Sequence, residues 1–166
     1  MLLLISAYKD EVQIAVLLVT AAVAIWRGAG PEKACAGVMA IVLWLGDILN
    51  HAIAASAARF TSVETGHLVL DVAGFALFLA IALFANRMYP LWMSITQGVV
   101  VLTHLAADAA KAAPLAYSIL SIAPSYLLTA LLIGGLIAHV RRVKRHGLYR
   151  SWRVATPPSP LAIHRR

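Results

Sequence analysis

At 166 residues, 61% hydrophobic and only 13% charged, with a mean hydropathy of +0.83, the chain has too little polar sequence for a water-soluble domain. Its net charge of +7 does not signal nucleic acid: eight of the fourteen Lys/Arg follow residue 140, just past the last apolar run, where a membrane protein keeps its cytoplasmic anchor. The single cysteine, Cys35, excludes an intrachain disulfide and any Cys-based metal motif, and reads as a small packing residue.

The opening residues, 1–11, are not expected to act as a secretory signal, because their apolar stretch is short, no basic residue precedes it and Asp10-Glu11 follows. The first apolar run covers 12–26 and can borrow residues from Tyr8 onward; Arg27-Gly28-Ala29-Gly30-Pro31 closes it as a turn. The second run, 34–58, ends at Arg59 and a polar stretch to Gly66. The third, 67–85, is closed by Asn86-Arg87 and Tyr89-Pro90, and the fourth, 91–110, by Lys111 and Pro114. The fifth covers 115–140, where Pro124 should kink the helix and Ser121 and Ser125 can satisfy freed backbone groups.

Most runs approach the ~20 residues that cross a hydrocarbon core. The expected fold is therefore an all-α polytopic transmembrane bundle of about five helices over 1–140, with consecutive helices antiparallel. Residues 141–166 read as a basic cytoplasmic tail with a Pro-rich end. Placing that tail in the cytoplasm puts Arg27, Lys33 and Arg87 there too and leaves Lys9, Arg59 and Lys111 outside, eleven against three. The orientation expected is N-out, C-in, in a bacterial inner membrane.

Ionisable residues inside these runs are few and therefore informative. The second run carries Asp47, Asn50 and His51, the third opens on Glu64, His67 and Asp71, and the fourth carries Gln97, His104 and Asp108. Each helix holds an Asp/His pair at i, i+4, which places both side chains on one face. With alternating direction, all three pairs fall in the outer leaflet at one level. Such residues cost about 2.5–3.5 kcal/mol each to insert and are expected to face the bundle interior and pair. Ala40, Ala54, Ala55, Ala58 and Gly74 allow the close helix approach that pairing needs.

Four roles suit this pattern. The pairs serve as interhelical packing contacts; they bind zinc, iron or manganese through imidazole and carboxylate; they relay protons or ions; or His51 and His104 hold a haem between opposing helices, a role that the neighbouring Asp47 and Asp108 disfavour. Ser118, Ser121 and Ser125 share a face and are expected to complete the wall of a cavity opposite the cluster, but no strained elbow marks a serine nucleophile. Trp26, Tyr89 and Trp92 fit an interfacial aromatic belt, and Trp44 lies inside, one turn from Asp47. In the tail, Arg141, Arg142, Lys144 and Arg145 are positioned for anionic lipid or a cytoplasmic partner. Two functions fit best: a small membrane protein whose outer-leaflet cluster binds a metal or relays protons, and an accessory subunit of a larger membrane complex with the polar pairs as packing.

Overall fold

The computed structural model describes the backbone of residues 2–57, 60–105 and 114–153, and within them the side chains of 11–53, 65–104 and 123–153. These form five helices and no strand among the described residues. Helix α1 is Leu2–Arg27; α2 is a continuous helical run over 30–57; α3 is Phe60–Phe84; α4 is Tyr89–Leu105; α5 is Pro114–His146. Helix α2 is α-helical over Gly30–Gly37, π-helical over Val38–Leu45 and α-helical again over Gly46–Ala57.

Helices α1, α2 and α3 begin before their apolar runs, at Leu2, Gly30 and Phe60, and α5 continues beyond its own, because hydropathy marks the apolar stretch and not the limits of backbone bonding. Helix α1 reaches back to Leu2 rather than beginning near residue 12, because backbone bonding does not end where apolar side chains do. Helix α2 starts at Gly30, inside the stretch read as a turn: Pro31 sits in the first turn, where its missing N–H costs nothing, and the Glu32 carboxylate accepts from the Ala29 N–H at 3.1 Å. Only residues 28 and 29 separate the first two helices. Helix α5 continues through the basic residues to His146, and Lys144, Arg145 and His146 complement the negative end of its dipole. Gly147, at φ 74°, then stops it, with its N–H on the Val143 carbonyl at 2.9 Å.

Beyond Gly147 the chain does not leave the bundle, as a free tail would. Asn86 donates its N–H to the Ser151 carbonyl at 3.0 Å, and Arg153 donates to Phe84 O at 2.7 Å. The Trp152 indole lies so close to Gly30 that a Cβ there would collide with it.

Each helix packs against the next, and α5 closes on α1, so the five make a ring. Its core draws from all of them: Leu17, Ala21 and Ala24 of α1, Cys35 and Met39 of α2, Phe78 of α3, Met93 of α4, and Leu128 and Leu132 of α5. Outside the ring, large apolar side chains such as Val19, Ile25, Ile53, Leu83, Phe84 and Leu102 are exposed. So much apolar surface belongs against lipid. Three of the helices, over Gly30–Ile53, Thr65–Phe84 and Ala123–His146, are long and apolar enough to cross a membrane. Hydroxyls inside the helices are handled as a water-free medium requires: Thr20, Thr96, Thr103 and Thr129 each donate to the carbonyl four residues back.

Alternation of helix direction sorts the polar residues to two ends. Asp47, His67, His104 and Ser125 share one end, whereas Glu32, Arg87 and His139 share the other. Arg27, Lys33 and the described basic residues from Arg141 to Arg153 belong to the second end, the grouping expected from charge.

Candidate functional site

The site is assembled by four helices. The π-helical stretch of α2 ends one residue before Gly46, whose N–H reaches the Ile41 carbonyl five residues back. Each i→i+5 turn admits an extra residue and so rotates the succeeding side chains by about 100° around the axis. Asp47 comes immediately after, with His51 one turn on. On α3, His67 and Asp71 are a turn apart. Helix α4 contributes Gln97 and His104, two turns apart, and α5 contributes Pro124 and Ser125. Gly74 of α3 leaves room for Leu43 of the π stretch: a Cβ at Gly74 would stand 2.8 Å from the Leu43 side chain.

Two carboxylates organise the polar groups. Asp47 Oδ1 lies 2.8 Å from His67 Nε2 and 3.5 Å from His51 Nε2, and the two imidazole rings meet edge to face with centroids 5.0 Å apart. One ligand atom from each of Asp47, His51 and His67 falls within 4.8 Å of the other two. Asp71 is held differently. Its Oδ1 accepts from Gln97 Nε2 at 2.7 Å, and its Oδ2 faces His104 Nε2 at 2.8 Å. With Asp71 ionised, His104 Nε2 is the donor of this contact. Asp47, His67, Asp71, Gln97, His104 and Ser125 line one cavity of about 370 Å³. A second, of about 280 Å³, adjoins it through Leu43, Asp47, Ser125 and Leu128, and on its wall Gln13 donates to Ser125 Oγ at 2.7 Å.

The structure brings together most of the residues singled out from sequence, but pairs them across helices. Within a helix, Asp47–His51 is the longer contact, at 3.5 Å, while both 2.8 Å contacts join neighbouring helices. The reason is geometric. Side chains four apart on one helix run side by side, whereas those on adjoining helices point at each other across the interface. Asn50 packs against Gly66 at the α2–α3 contact rather than lining the cavity. Ser125 lines it as expected. The side chains of Glu64, Asp108, Ser118 and Ser121 lie outside the described residues. Arg141, Arg142, Lys144 and Arg145 are exposed on the last two turns of α5. Trp26 and Trp92 are exposed as a belt requires, and Trp44 packs on the core. Tyr89 departs from that belt: its hydroxyl is buried and its ring lies on Gly135.

A second polar centre, at the basic end, was not among the sites singled out from sequence. Arg87 Nε donates to Glu32 Oε1 at 3.1 Å, both side chains being almost wholly buried. Arg87 Nη1 donates to the Asn86 carbonyl at 3.0 Å, and Nη2 to His139 Nδ1 at 3.3 Å. The same Nδ1 accepts from the Tyr149 hydroxyl at 3.1 Å, and the Arg87 guanidinium stacks on the Tyr149 ring at 4.4 Å. The available signals were Glu32 in a Gly-Pro-Glu helix start and a solitary His139 inside the fifth apolar run.

Comparison with protein family models, with curated proteins and with solved structures finds no match to this chain.

Proposed function

We propose that this membrane protein binds a divalent transition-metal ion, of the zinc class, through Asp47, His51 and His67. The observation that carries the reading is the convergence of two imidazoles and a carboxylate, from two helices, to within 4.8 Å of one another. Imidazole nitrogen with carboxylate oxygen suits zinc, iron or manganese, and three protein ligands leave a coordination position for water or substrate. Asp47 and His67 both line the 370 Å³ cavity, so that position faces a space a small molecule can enter. Such an ion would polarise a bound oxygen and lower the pKa of a bound water. Asp71, fixed by Gln97, orients His104 in the wall of the same cavity, as a candidate proton acceptor for a molecule bound there.

The doubly anchored Asp71 also favours a second reading, proton relay along the two His–carboxylate pairs without a metal. Elemental analysis of protein purified in mild detergent separates the two. One zinc, iron or manganese per chain is expected in the wild type and in His104→Ala, and none in His51→Ala/His67→Ala. Absence of metal from the wild type after metal-supplemented growth overturns the metal reading. Loss of proton flux in liposomes with Asp71→Asn would then support the relay. Failure of both, with co-purification of a partner, would point to an accessory subunit in which the polar pairs pack helices.

A further inference from the structure

We propose that the groove on α5 at the basic end is a binding site for one anionic phospholipid, a function independent of the metal site. Leu127, Leu131, Gly134, Ala138 and Arg142 succeed one another at steps of three or four residues, so they form a single stripe along the helix. All five border a cavity of about 400 Å³, walled on one side by Tyr89 of α4 and closed at its head by Tyr149 of the returning segment. The stripe is apolar below and cationic at the top. From Leu127 to Ala138 the helix rises ~16 Å, about half the thickness of a hydrocarbon core, which is the depth of an acyl chain in one leaflet.

The head of the groove selects charge. Arg142 is exposed, and among the described residues it has no carboxylate partner; its contact is with the Tyr149 ring, at 5.2 Å. Arg87 nearby is already committed to Glu32, the acid on this side of the bundle. Tyr149 is fixed as the wall by its hydroxyl bond to His139 and by the two guanidinium groups over its ring. Arg141, Lys144 and Arg145 surround Arg142 on the last turns of α5 and add to the positive potential. A guanidinium without a carboxylate partner among the described residues, above an acyl-length groove, fits a lipid phosphate.

Native mass spectrometry of the detergent-purified full chain tests this, using phosphatidylglycerol and phosphatidylcholine with identical acyl chains. One phosphatidylglycerol per chain should be retained at least about tenfold more tightly than phosphatidylcholine, and Arg142→Glu should remove about a tenfold advantage. Gly134→Leu should lower retention of both lipids by filling the groove. A Cβ at Gly134 meets no atom within 4 Å, so the melting temperature should hold. If it falls, Ala138→Phe serves as the second groove-filling variant. Equal retention of the two lipids, or no response to Arg142→Glu, overturns the anionic site. Undiminished phosphatidylglycerol binding in both groove-filling variants overturns it too, leaving only surface attraction to the basic residues.

Discussion

Glu32 and Arg87 at the basic end are sealed within the bundle, whereas Asp47 and His51 at the opposite end remain 44% and 57% exposed. Both centres place charged groups in an apolar helix ring, yet they meet the cost differently. At the basic end all three guanidinium nitrogens of Arg87 and both carboxylate oxygens of Glu32 have a partner within the protein, including the backbone of the adjoining turns. At the other end two imidazoles share one oxygen of Asp47, and the group opens on a cavity. A buried network whose charged groups are all partnered holds structure together. A half-exposed cluster with capacity to spare is available to bind something.

This contrast can be broken by substitution, beginning with the largest effect. Arg87→Met leaves the Glu32 carboxylate buried without a counter-charge and should cost about 3–5 kcal/mol of stability, measured by reversible unfolding in detergent. Glu32→Leu/Arg87→Met, which removes both charges, should recover most of that loss; a double variant as unstable as the single one would mean that the ion pair is not what holds this end. A smaller penalty, about 1–2 kcal/mol, is expected for Asp71→Ala, which strands the buried Gln97 amide and the His104 ring. If Asp71→Ala instead matched Arg87→Met, the two ends would not differ in kind. His51→Ala should change stability least, by no more than about 0.5 kcal/mol, because the ring is more than half exposed. The same variant should lose bound zinc in the elemental assay, and a stability loss above about 2 kcal/mol with metal retained would recast His51 as a packing residue.

How far the site could be read from sequence depended on contrast with the surroundings. Asp47, His51, His67, Asp71 and His104 stood out because each interrupts an apolar run. Which of them pair did not follow, since helical spacing describes only neighbours on the same helix. Glu32 and Arg87 sit beside turns, where charge is ordinary, and nothing in their spacing of 55 residues announces a contact. Tyr149 and Trp152 read as part of a basic tail until the reversal at Gly147 brings them back over Arg87 and Gly30.

By itself the sequence determined the helical membrane class, the five apolar runs and the separation of a basic end from a His/carboxylate end. Those properties come from composition and the lengths of apolar segments, which the bilayer imposes on any chain of this kind. Only the tertiary structure decided which Asp meets which His and which charges are buried. The π-helical turn before Asp47 rotates that residue, and interhelical packing chooses its partner, through contacts that local periodicity does not encode.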